Sequence, residues 1–241
     1  MINYYEAGTR NLVFYKREGF PKMIEEDILG VEKHWQKVQR KNPTGSFNGQ
    51  IYSCNSFDDD GQRLAIGVNQ TNYKTYKWAR DGKRPLPGAY TMGNCMLLFD
   101  PRREAFTLLQ RSSGVAFDTG KISGIGGVLD YEQVDMRKFS AYVEQATVDE
   151  IIEEVHLQSE LNAVALLGLY WDTETYKVEF VYYGEAEVSG VKAGENKKVV
   201  EVPRAKIVSF TRQNNSKIEE STRVHLNYWA SKLASPISSQ S

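Results

Sequence analysis

Apolar positions along the chain switch between a helical and a strand period, and each switch marks an element. Between residues 23 and 40, Ile24, Ile28, Val31, Trp35 and Val38 recur at helical spacing, which predicts a helix packed along that stripe. The turn-rich NPTGSFNG follows. Two β-rich runs, QIYSCNSF and QRLAIGVNQT, flank DDDG and read as a hairpin. The segment TNYKTYKWARDGKRPLPGAY mixes aromatics, cations, proline and glycine. It reads as a loop, the boundary between an N-terminal helix-plus-hairpin extension, residues 1–88, and a main domain, residues 89–241.

A second hairpin is predicted from TMGNCMLLFD and FTLLQRS around an Asp-Pro turn. The glycine-rich stretch Gly120 to Gly127, ending in GIGG, comes next, and the pattern is helical from about Asp135 to Leu157. LNAVALLGLYWDTETYKVEFVYYGEAEV reads as two long strands around a DTET turn, and KKVVEVPRAKIVSF holds one more. Ile218, Thr222, Leu226, Trp229 and Leu233 form a last helical stripe. Strands cluster without a regular β-α-β alternation, which predicts an α/β fold of the α+β kind with a mixed sheet.

Composition narrows the function. With 30 basic against 31 acidic residues and a net charge of −1, nothing marks the 241-residue chain as a nucleic-acid binder. No run approaches the roughly 18 apolar residues of a membrane span. The opening MINYYEAGTRNLVFYKREGF lacks the apolar core of a secretory signal, so a cytoplasmic location is expected. Cys54 and Cys95 read as buried free thiols, and His34, His156 and His225 show no metal-ligand spacing.

The segment that carries chemistry is DEIIEEVHL, residues 149–157. At about 100° per residue, Glu150, Glu153 and Glu154 fall within an arc of roughly 100°. Val148, Ile151, Ile152 and Val155 then take the opposite side, which predicts one apolar face and one face of three carboxylates. Like charges so spaced repel by a few tenths of a kcal/mol per pair. A hard, oxygen-preferring Mg²⁺ or Mn²⁺ would turn that repulsion into coordination. Upstream, Gly126 and Gly127 could let the backbone approach a phosphate, since they lack Cβ and tolerate positive φ. No Gly-Lys-Ser/Thr follows them, so the loop is not a P-loop.

A strand, a Gly-Gly loop and a helix with EIIEE together resemble the Nudix box. GGVLDYE matches its loop, and Glu150, Glu153 and Glu154 match its helix carboxylates. The resemblance spans residues 90 to 233 and implies a Nudix fold, a mixed sheet sandwiched by helices. Asp149 stands where the box has arginine, and the spacing from loop to helix is longer than usual. Both departures are similar to a divergent branch, the UDP-sugar diphosphatases. So are Asn42-Pro43, Phe47-Asn48-Gly49 and Thr71-Asn72-Tyr73.

The resemblance implies magnesium-dependent attack of water on a nucleoside diphosphate linked to another moiety, in this branch UDP-glucose cleaved to UMP and glucose 1-phosphate. It makes Glu150, Glu153 and Glu154 the metal ligands and Glu132 or Glu179 a further candidate base. Arg111 and Lys121 are candidate phosphate contacts. Tyr73, Tyr76 and Trp78 could stack on uracil or form an apolar hinge between extension and core. Lys83, between Arg80 and Arg84, would hang near the phosphates. The alternatives are a Nudix hydrolase of ADP-ribose or dinucleoside polyphosphates, and a catalytically silent Nudix-fold module. The expected partner is a small-molecule nucleotide, with no nucleic acid, no membrane and no signal for an oligomeric state.

Overall fold

The computed structural model describes residues 2–17, 23–41, 48–82, 86, 89–111, 120–191 and 198–234. In chain order the elements are β1 (Ile2–Glu6), β2 (Asn11–Lys16), α1 (Glu25–Lys41), β3 (Gln50–Asp59), β4 (Arg63–Asn72) and α2 (Tyr73–Gly82). Then come β5 (Tyr90–Asp100), β6 (Ala105–Gln110), β7 (Ile122–Ser123), α3 (Phe139–Glu154), β8 (Val155–Leu157), β9 (Asn162–Asp172) and β10 (Lys177–Glu185). β11 (Val188–Val191), β12 (Lys198–Pro203), α4 (Ile207–Gln213) and α5 (Glu220–Ala234) complete the series. The fold is mixed α+β, as the unalternating strand pattern predicts. Asn42, Pro43, Phe47, Lys83 and Arg84 lie outside the described residues.

The chain divides into two compact units. The first comprises Met1–Cys95, Gly126–Glu150 and Leu166–Tyr182. Its strands follow the order β1-β9-β10-β5-β3-β4-β2. β3 and β4 form the DDDG hairpin, whose turn is closed by the Asp60 carboxylate accepting from the backbone of Gln62 and Arg63 at 2.9 and 2.7 Å. β2 pairs with β4 in parallel, and the required crossover is supplied by α1 and β3. At the centre, the Phe139 ring at the start of α3 lies 4.9 Å from both Phe14 and Tyr52, centroid to centroid. Phe180 stands 5.8 Å from Phe14 and closes the cluster.

Two helices in this unit depart from the sequence reading. Residues 73–82 are helical, not a loop. Asn48 Oδ1 accepts from Lys74 N (3.0 Å) and Gly49 O from Tyr73 N (3.1 Å), so the first turn is capped from a distant segment. In α1 the inward residues are Asp27, Val31 and Trp35, while Ile28 and Leu29, and Ile24 just before the helix, are exposed. Two overlapping stripes share Val31 and Trp35, and packing selects the one that begins at Asp27.

The second unit comprises Met96–Ile125, Ile151–Ala165 and Tyr183–Ser241. Here the end of β5 pairs with β6, and β6 with β12 and β7, while β8 pairs with β11. Asp100 Oδ1 accepts from Arg102 N and Arg103 N at 2.9 and 3.1 Å, closing the predicted Asp-Pro turn. Phe106 and Tyr183 pack on Trp229 of α5, and Leu226 and Thr222 of the same helix are fully buried. The predicted terminal stripe is therefore split, since Ile218 precedes the helix and bridges Ile122. His225 is also buried, with Nδ1 2.5 Å from the Ser221 carbonyl. Among the described residues, no helix is long and apolar enough to cross a membrane.

Candidate active site

The glycine loop is zipped onto β5 by backbone bonds of Met92 and Met96 and, between them, by buried Asn94. Gly127 N donates to its side-chain oxygen at 3.0 Å, and Asn94 N donates to the Gly127 carbonyl at 3.0 Å. This closeness explains the glycines. A Cβ on Gly126 would lie 2.2 Å from the Asn94 carbonyl oxygen, and one on Gly93 would lie 2.7 Å from that of Gly127. Neither Gly126 nor Gly127 adopts positive φ; among the described glycines only Gly8, Gly61 and Gly120 do. The lack of a side chain, not left-handed backbone, is what the loop uses.

Glu150 reaches this loop from α3. A Cβ on Gly127 would come within 3.0 Å of its Oε1. The buried positions of α3 are Phe139, Val143, Thr147, Ile151 and Glu154, at steps of three and four residues. The expected separation into an apolar and an acidic face is therefore corrected. Glu154 is itself inside the buried stripe at 5% exposure, and Glu150 borders it. Glu153 is exposed, and so is Ile152, at 49%. A carboxylate inside a packed stripe is costly unless its charge is answered. Asp149 points outward and accepts from Gln145 Nε2 at 2.9 Å.

A second carboxylate approaches the loop from β10. Glu179 is 3% exposed, and its Oε1 is 4.0 Å from where a Cβ on Gly93 would stand. The same oxygen is 2.5 Å from Lys177 Nζ. Within the first unit, Glu150 and Glu179 thus flank the Gly93–Gly127 contact. Asn94, Gly93 and Lys177 went unnoticed in the sequence because their roles come from pairing across strands. Among the described residues, no group of three or more His, Cys, Asp or Glu side chains is gathered to hold a metal ion.

The other candidates have separate surroundings. Arg111 Nη1 lies 3.8 Å from Glu219 Oε2, and its backbone N donates to the carbonyl of Lys121, which is half-buried. Both belong to the second unit. Tyr76 is 2% exposed, with Arg80 Nη1 donating to its hydroxyl at 3.0 Å and Tyr73 edge-on to its ring at 5.9 Å. Trp35 of α1 meets Tyr73 at 6.4 Å, and Gly30 of α1 sits against the Trp78 ring, which joins α1 to α2. These aromatics pack α1 against α2, both within residues 1–88, and the Tyr76 ring is enclosed. Glu132 is exposed at the rim of a cavity in the first unit. Burial, with the Glu132 charge adding to it, pushes the nearby Asp130 carboxyl above its usual range.

No protein-family model matches the chain, and no curated protein matches it. Among solved structures it is similar to Tm1382, a candidate Nudix hydrolase, with a TM-score of 0.49 and 12% identity over 68% of this chain and 79% of that one. It is similar also to the MutT protein from Methanosarcina mazei Go1, with a TM-score of 0.43 and 17% identity over 61% and 96% of the two chains. A NUDIX family hydrolase from Clostridium perfringens gives a TM-score of 0.39 and 16% identity over 60% and 98%. Likenesses at this level assign no family, so the chemistry of the site rests on its own residues.

Proposed function

We propose that the chain is a divalent-metal-dependent phosphoanhydride hydrolase of the Nudix type, acting on a nucleotide sugar. The substrate in this reading is UDP-glucose, cleaved to UMP and glucose 1-phosphate. The observation that carries it is the carboxylate of Glu150 seated against Gly127, in a loop that packing restricts to glycine. Gly127 leaves room for the Glu150 carboxylate, and an acidic helix beside the loop supplies oxygen ligands of a hard cation, which would in turn bind an anionic diphosphate.

The donor set fits magnesium. Mg²⁺ keeps several waters and is commonly held through one or two carboxylates together with substrate phosphates, so it needs no complete protein cage. Glu150, beside the loop, would contribute one such carboxylate, and Glu153 and Glu154 of the same helix are proposed as the further ligands, though among the described residues the three are not gathered together. When bound, it supplies positive charge against the diphosphate and activates water. Glu179 is the general base in this reading, taking a proton from the attacking water on a carboxylate oxygen. Lys177, beside its Oε1, orients it. Water adds to phosphorus, the bridging P–O bond breaks, and the two phosphates leave as separate products.

The test is a panel of UDP-glucose, ADP-ribose and a dinucleoside polyphosphate, with and without Mg²⁺ or Mn²⁺, with products identified by ³¹P NMR. Metal-dependent release of UMP and glucose 1-phosphate is expected. Preference for ADP-ribose keeps the anhydride chemistry and removes the sugar. No turnover of any member leaves a silent binding module.

A further inference from the structure

The first unit contains an open cavity of about 280 Å³ that the proposed chemistry does not use. Its floor includes Tyr52, which is 1% exposed, and one wall is Tyr131, whose ring lies 5.0 Å from that of Tyr52. Lys16, Gln70, Glu132 and Gln133 form an exposed polar rim. The walls are fixed before any ligand arrives. Tyr52 donates its hydroxyl to the Glu132 carbonyl and its N–H to the Leu129 carbonyl (3.0 Å), and Tyr131 N donates to Gln50 O at 2.9 Å.

Size and chemistry limit the occupant. Pockets for drug-sized ligands span about 300–1,000 Å³, so this cavity accepts a single ring and not a whole nucleotide. Its rim presents an ammonium, two primary amides and a carboxylate around an aromatic wall. A carboxylate accepts only, an ammonium donates only, and amides do both. Hydroxyl groups both donate and accept and rotate to suit, so a polyhydroxylated ring matches each of these kinds of group. A uracil edge, one N–H between two carbonyls, would turn acceptors toward Glu132.

The cavity is also tethered to the glycine loop. Tyr131 lies four residues beyond Gly127, a step that spans at most about 14 Å. We propose that this cavity is the glycosyl subsite, with Glu132 and Gln133 accepting from and donating to sugar hydroxyls and Tyr131 lying against the ring. Glu132 is thereby a specificity residue and not the base. The assignment rests on the nucleotide-sugar reading above and adds to it the place where the sugar is recognised.

Two measurements test it. In the first, kcat/KM for UDP-glucose is compared with that for the methyl ester of UDP, which keeps the anhydride and lacks the hexose. Glu132→Ala combined with Gln133→Ala is expected to lower this selectivity ratio about tenfold, and an unchanged ratio overturns the proposal. The second needs no turnover: saturation-transfer NMR on the metal-free full chain with UDP-glucose, and separately with glucose 1-phosphate. Transfer to hexose protons that disappears in Glu132→Ala upholds the subsite. Absence of such transfer, or transfer indifferent to the substitution, overturns it. A chain that hydrolyses no nucleotide defeats the proposed function, while the NMR result still decides the cavity.

Discussion

Lys177 and Glu179 stand two residues apart on β10, on the same face of the strand, with Nζ 2.5 Å from Oε1. Their side chains are only 15% and 4% exposed, so water screens the pair poorly. Removing one member of such a pair typically costs about 3–5 kcal/mol, because the other charge stays buried. Lys177→Met is expected to lower the stability of the folded chain by about 3 kcal/mol in urea titration, with Lys177→Arg recovering most of it. Equal midpoints for Lys177→Met and the parent would show that the pair contributes nothing.

On α3, Glu150→Gln and Glu153→Gln should each remove most metal-dependent turnover. Glu153→Gln also takes a charge from a repulsive set, so its metal-free melting temperature should hold or rise slightly. Mn²⁺ titration followed by electron paramagnetic resonance gives a readout separate from catalysis, and binding should weaken in both variants. Wild-type turnover in both would reduce the three glutamates to a structural feature.

The two loop glycines should separate stability from activity. At Gly126 an added Cβ meets backbone, the Asn94 carbonyl, at 2.2 Å, and Gly126→Ala should lose about 1–3 kcal/mol as an overpacked site does. At Gly127 the obstacle is the end of the Glu150 side chain at 3.0 Å, which can move. Gly127→Ala should therefore melt near the parent temperature while displacing Glu150 and losing activity. Thermal melts beside turnover assays distinguish the two, and a reversal of the order would contradict the packing described.

Buried His225 should make the fold acid-sensitive. Burial holds its imidazole down at about 4 against an ordinary 6.5, with the Ser221 carbonyl pulling the other way. The unfolded chain thus binds a proton near pH 6.5 that the folded chain refuses until about pH 4. Stability from this residue is complete above that window, declines as the pH falls through it, and declines no further below it. The loss between pH 7 and pH 5 is roughly 2 kcal/mol. Urea titrations at the two pH values should show it, and His225→Gln should flatten the difference; an equal slope in the variant would assign it elsewhere.

What the sequence disclosed follows from how locally each feature is determined. The DDDG and Asp-Pro hairpins were legible because Asp60 and Asp100 close their own turns. Helix α2 was not, because its cap is Asn48, more than twenty residues upstream. Helical period alone could not choose between the Ile24 and Asp27 stripes of α1, nor foresee that Ile152 faces outward while Glu154 is enclosed. Both choices depend on which neighbours arrive. β1 and β2 passed unread because each is a short run whose partner lies far along the chain. Near the loop, Glu150 and the double glycine stand out in the sequence by residue type alone. The contacts of Asn94, Glu179 and Lys177 required strands to be brought together.

The pairing of β1 with β9 bears on how the protein is made. Ile2 meets Asp172 and Glu6 meets Gly168, so β1 has no partner until β9, far along the chain, has been made. At about 5–20 residues per second, that interval is roughly 10–30 s on the ribosome. Through it the Tyr4-Tyr5 segment has an unfilled edge to offer, and contacts of such long sequence separation form slowly. Nascent-chain handling, rather than the finished fold, is where this strand imposes its demand.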